Sequence, residues 1–165
     1  MRKVLILAAA IAAASCGGNS SDLSNAEAQS VASEISAALQ THEAVASSRN
    51  QLSFGGSSSV SYTCAGGGKL DVSGTLSVNC PSGLWSCATS GSLTIDAKAC
   101  TTATGVIIDG LLKTTVTGTG LSFTKTVTGE ITVTRTDGST ATCSVGVTMM
   151  FGHISGTVCG VQITK

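Results

Sequence analysis

The segment SFTKTVTGEITVTRT, residues 122–136, alternates in side-chain character along its whole length. Phe123, Val127, Ile131 and Val133 fall on one face together with Lys125, Gly129 and Arg135, and Thr124, Thr126, Thr128, Glu130, Thr132 and Thr134 fall on the other. A period of two belongs to a strand with one buried and one solvated face. Similar runs lie at 58–64, 68–79, 86–98, 104–117, 139–150 and 154–164, with this one at 121–135. The turn signals AGGG, CPSG, ACTTAT, GTG, TDGS and FGH separate them. Connections this short predict an antiparallel meander of about seven strands, because parallel neighbours need crossovers of a dozen or more residues.

A weak repeat runs through the strands: VSGTLSV (72–78), TSGSLTI (89–95), IDGLLKT (108–114), VTGEITV (127–133) and ISGTVCG (154–160). Each places Leu, Ile or Val two residues after a glycine, and the first four glycines are 17, 19 and 19 residues apart. Such spacing fits successive strands of a meander or, alternatively, rungs of a β-solenoid. The variable turns and the TDGS hairpin signal favour the meander. Glycine weakens a strand interior, so its recurrence implies a sharp bend or a close backbone approach.

One helix precedes the strands. Ser24 and Glu27 have the spacing of a capping box, and Ala28, Val31, Ile35, Ala38, Leu39, His42, Val45 and Ala46 follow at steps of three and four. The helix is expected within 24–50, about 36 Å long, which matches an 11-residue strand. These features predict a mainly β fold: a bent sheet or half-barrel wrapped around the helix, with 51–165 forming a disulfide-stapled β domain in one folding unit with it.

Ahead of the helix, a basic start (Arg2, Lys3), an apolar run from Val4 to Ala14 and small residues before Cys16 have the anatomy of a secretion signal. The run is too short to span a membrane. Ala13-Ala14-Ser15-Cys16 resembles the lipobox of bacterial lipoproteins, covering about 20 residues of the chain. The resemblance implies that 1–15 are removed, that Cys16 carries lipid and anchors the chain to a membrane, and that 16–23 form the tether. Gly17, where Asp marks inner-membrane retention in that family, implies the outer membrane.

Seven cysteines less Cys16 leave six, an even set suited to an oxidising compartment. Opposite residues in a hairpin have a constant index sum. Cys80 and Cys87 are symmetric about Gly83–Leu84, and Cys143 and Cys159 about Phe151, which leaves Cys64 with Cys100. No C-x₂₋₄-C spacing occurs, so neither a metal nor another cofactor is expected.

Removal of 1–15 leaves seven basic against nine acidic residues. A surface so nearly neutral, with no basic cluster and five aromatics, argues against nucleic acid and against a membrane barrel. His42-Glu43 begins like H-E-x-x-H, but Ala46 occupies the second ligand position; His42 is expected at the rim of the helix stripe. His153 falls in a turn. Asp71, Asp96, Asp109 and Glu130 are spread over different strands, where solvated single charges are the default. The Thr-x-Thr runs at 115–117, 124–126 and 132–134 read as β-propensity on a wet face. With no catalytic constellation, a non-enzymatic envelope interaction or structural module with a possible protein partner is expected. The alternatives are a carrier holding a hydrophobic ligand in a trough between sheet and helix and, last, a hydrolase.

Overall fold

The computed structural model describes residues 23–48, 54–79, 87–119 and 122–165. One helix, α1 (Asn25–Ser48), is followed by eight strands: β1 (Phe54–Thr63), β2 (Lys69–Asn79), β3 (Ala88–Thr101), β4 (Ile107–Thr119), β5 (Ser122–Thr134), β6 (Thr140–Met150), β7 (His153–Val158) and β8 (Val161–Thr164). They form one sheet in chain order, every neighbouring pair antiparallel. The sheet is an open meander and does not close into a barrel, which disposes of the solenoid alternative. Its count exceeds the expected seven because the run 154–164 is split. Cys159 and Gly160 take φ of 52° and 81°, forming a two-residue turn of the I′ kind.

The capping box forms as expected. The Ser24 N–H donates to Glu27 Oε2 at 2.8 Å and the Glu27 N–H to Ser24 Oγ at 3.3 Å. Leu23 and Ala28, which bracket that box at the positions of a hydrophobic staple, are both buried. Past the cap, Val31, Ile35, Ala38 and Leu39 lose all solvent contact and join Leu70, Val72, Ile95, Ile108, Leu112 and Ile131 in one continuous core. The backbone of α1 approaches β1 and β2 on one side and β7 and β8 on the other, so the helix lies between the two edges of the bent sheet. Lys165 Nζ donates to Ser33 Oγ at 3.2 Å, which ties the end of the chain to it.

The glycine repeat has a register explanation. Gly74 lies opposite Leu93, and Gly91 opposite Leu76; Gly110 lies opposite Ile131, and Gly129 opposite Leu112. Each apolar side chain of a Gly-x-Leu or Gly-x-Ile unit thus lies over the glycine of the neighbouring unit, and the exchange is reciprocal. A Cβ on Gly129 would stand 3.0 Å from Leu112 Cδ2 and 2.8 Å from the Leu111 carbonyl. With φ at 151° there, a side chain would also strain the backbone.

Three hairpin loops at one end of the sheet share a form: 64–68, 102–106 and 135–139 each carry a glycine at positive φ. Asp137 Oδ1 completes the last by accepting from the Ser139 N–H and Oγ–H at 2.8 and 2.6 Å, and these bonds hold its carboxyl below the usual range. Near this end stands the start of α1, where Glu27 feels the charges of Arg135 and Asp137. At the opposite end, Glu43 pairs with Lys125, and Phe151-Gly152 closes the β6–β7 hairpin.

Candidate functional site

Two of the expected disulfides lie within the described residues. Cys64 and Cys100 are bonded, with Cα atoms 5.5 Å apart, and so are Cys143 and Cys159, at 4.8 Å. The first depends on a bulge in β3 between Ala97 and Cys100. Strict alternation from the buried Ala97 would point Cys100 outward; one extra residue, with Ala99 at φ 48°, turns it into the core. Asp109 Oδ1 accepts the Ala99 N–H at 2.7 Å and supports the bulge. The second pair corrects the symmetry argument. Val145 opposes Val158, and the Cys159 N–H donates to the Ser144 carbonyl, so Cys143 reaches its partner diagonally. The centre of that hairpin is the Phe151–Gly152 bond, half a residue beyond the expected position. Cys87 is disulfide-bonded; Cys80 and Cys16 lie outside the described residues.

Among the described residues the carboxylates do not assemble a catalytic pair. Asp71 and Asp96 are direct neighbours across β2 and β3, but Lys98 Nζ bridges them at 2.9 and 3.0 Å and Lys69 Nζ joins Asp71 at 3.0 Å. The Ser61 hydroxyl, donating to Asp71 Oδ1 at 2.6 Å, and then the two lysines hold that carboxyl well below the usual range. Lys98 is pushed up by the same contacts. Glu130 is exposed on β5, opposite Leu111.

His42 is fully buried, deeper than a rim position. Its Nε2 is 2.8 Å from Ser58 Oγ on β1, within reach for a base to activate a hydroxyl. Nδ1 has no hydrogen-bond partner, whereas a Ser-His-Asp arrangement needs a carboxylate there to orient the ring. Burial pulls the imidazole below its ordinary pKa, with Ser58 and the charge of Glu43 opposing and Lys125 reinforcing. The neutral ring is therefore the folded form, and the unfolded chain binds more protons below about pH 6.5. Stability from this group is complete above that pH and declines as pH falls through the folded value. His42→Leu is expected to reduce the difference in urea midpoint between pH 7.5 and pH 5; an unchanged difference would assign that pH dependence to other groups.

The feature that sequence reading missed is apolar and exposed. Phe151 is 67% exposed, Met150 49% and Phe123 40%, all at the end of the sheet where β5, β6 and β7 meet the C-terminal half of α1. Beside them is a groove of about 230 Å³, lined by Gln40, Glu43, Phe123, Met149, Met150 and Phe151 among others. Phe151 and Gly152 have φ of 51° and 82°. This is a two-residue turn of the I′ kind, whose first position favours Asn, Asp or Gly. His153, expected in the turn, opens β7 opposite Met150 and is exposed. The only prior signal was the FGH string itself, since nothing in its spacing distinguishes an exposed Phe from a packed one.

No family model, no curated protein and no solved structure matches this chain.

Proposed function

We propose that this protein is a lipid-anchored lipoprotein of the cell envelope whose β domain is a non-catalytic interaction module, docking a protein partner at the Phe151 tip. The observation that carries this is Phe151 itself: an exposed aromatic in a backbone conformation that L-residues other than Asn and Asp avoid. The two-residue turn requires this φ, as it does at Cys159, but it does not require a bulky exposed aromatic where Asn, Asp or Gly would be less strained, and that choice points to use. Met150 and Phe123 extend the apolar surface, and Met adapts its shape to a partner more readily than a branched side chain.

The anchor supports the same arrangement. Seven residues separate Cys16 from Ser24, a reach of no more than about 25 Å. The helix start lies at the end of the sheet away from Phe151, and α1 adds about 36 Å along its axis. Lipid on Cys16 thus leaves the tip free to point away from the membrane. A carrier would need an empty trough, whereas here α1 packs into the concave face; a hydrolase would need converging groups, whereas Asp71 and Asp96 are neutralised by lysines and His42 lacks an orienting carboxylate.

Phe151→Asn separates use from stability. Relief of the turn is expected to raise stability by about 1 kcal/mol in urea unfolding, while a photo-crosslinking residue at the adjacent Met150 loses its protein adduct in cells. The same probe at Glu130 on the outer face serves as the control. Equal crosslinking from both positions, or an adduct unaffected by Phe151→Asn, refutes the docking site. A mature N-terminus that carries no acyl chains by mass spectrometry refutes the anchor independently.

A further inference from the structure

The Glu34 carboxyl group is buried, and one of its two oxygens has no hydrogen-bond partner. Its side chain projects from α1 into the core and the residue is 5% exposed. Oε1 accepts the Ala65 N–H at 3.3 Å and the Tyr62 hydroxyl lies beside the carboxyl group, but Oε2 has no partner. A buried carboxylate oxygen without a donor is costly, and a specific one asks for a physical reason. The Cys64 and Cys100 sulfurs lie beside it: one ligand atom from each of the three residues falls within 4.8 Å of the others.

We propose that Glu34, Cys64 and Cys100 form a zinc site that opens when the Cys64–Cys100 disulfide is reduced. A dithiol reductant delivers two electrons to the bond and is itself oxidised to a disulfide, leaving two thiols. Zn²⁺ then displaces both thiol protons and binds two thiolates and Glu34 Oε2, with water as the fourth ligand. Tetrahedral zinc with Zn–S near 2.3 Å sets the sulfurs about 3.8 Å apart. Side-chain rotation provides this from Cα atoms 5.5 Å apart. The backbone around the site is held independently of the disulfide. The Gly66 N–H donates to the Thr101 carbonyl and the Thr101 N–H to the Gly67 carbonyl, both at 2.8 Å, and the Ala65 contact orients Glu34 as an outer-shell bond would.

The test uses the full chain, reduced with a phosphine and titrated with Co²⁺ and then Zn²⁺. The reduced wild type is expected to show thiolate-to-cobalt absorption and the intense visible bands of tetrahedral cobalt, both abolished by Zn²⁺. Glu34→Gln is expected to weaken this binding at least about 10-fold. Cys64→Ser with Cys100→Ser removes one metal equivalent and reports any background from the remaining thiols. Unchanged affinity in Glu34→Gln, or unchanged stoichiometry in the double variant, overturns the site. If reduction unfolds the chain, Zn²⁺ should restore the far-ultraviolet strand signal in the wild type and not in Glu34→Gln; failure of zinc to restore it also overturns the proposal.

Discussion

Gly129→Val is expected to destabilise the domain by about 3–5 kcal/mol, enough to remove most of the stability of a typical domain. Two effects act together. The backbone at φ 151° disfavours any side chain, and a β-branched one most. A Cβ at that position also stands 2.8 Å from the Leu111 carbonyl and 3.2 Å from Leu112 Cα. Both are backbone atoms of β4, so the clash is relieved only by parting the strands. Urea unfolding measures the effect, and two other glycines calibrate it. At Gly138, φ is 82° but a Cβ would meet nothing within 4 Å, so Gly138→Ala should cost only about 1 kcal/mol of backbone strain. Gly146 has no positive φ, and a Cβ there would make ordinary contact with Thr157 Oγ1 at 3.7 Å; Gly146→Ala should change stability by less than about 0.5 kcal/mol. If all three alanine or valine variants unfold at similar urea concentrations, the register explanation of the glycine repeat fails.

The glycine register was largely legible in the sequence. A Gly-x-Leu unit is visible in one dimension, and the meander makes neighbouring units run in opposite directions. Glycine of one then opposes leucine of the next whenever the turn between them has suitable length, as Gly74 with Leu93 and Gly91 with Leu76 show. The helix was legible for a similar reason: Ser24 and Glu27 are three residues apart, and the burial of Val31, Ile35 and Leu39 follows the spacing of the apolar residues. Features requiring a break in periodicity were not legible. The β3 bulge has no sequence mark, since Ala99 at φ 48° is an ordinary alanine in the sequence, yet it decides that Cys100 faces inward. The turn at Cys159-Gly160 interrupts a run that still alternates on paper, and so one expected strand became two.

The candidate site was less legible than the fold because its members carry no motif. Phe123 comes from β5 and Met150 and Phe151 from the end of β6 and the turn after it; Thr124, the chain neighbour of Phe123, lies opposite Met150, the chain neighbour of Phe151. By its period of two, Phe123 shares the face that is buried farther along β5, at Val127 and Ile131. It is nevertheless 40% exposed, on the rim of the groove that it shares with Gln40 and Glu43 of α1, and period two alone does not separate a rim position from a core position on the same face. Glu34 shows the reverse case: a polar residue of the helix pattern that becomes buried because the Cys64–Ala65 turn closes over it.

Removing the Cys64–Cys100 disulfide is expected to cost more than removing Cys143–Cys159. Loop-closure entropy gives about 4 kcal/mol for a sequence separation of 36 and about 3 kcal/mol for one of 16. Both are large beside the total stability of a domain. The replacement residue matters at the first site and tests the role of Glu34. With alanine at 64 and 100, Oε2 keeps no partner and a cavity is left in the core. With serine, a hydroxyl stands where the sulfur was and can donate to Oε2, recovering about 1 kcal/mol. The serine pair should therefore unfold at a higher urea concentration than the alanine pair. At Cys143 and Cys159 no orphaned carboxylate is nearby among the described residues, so serine gains nothing comparable. Equal midpoints for serine and alanine at 64 and 100 would mean that the missing bond on Glu34 is already supplied in solution.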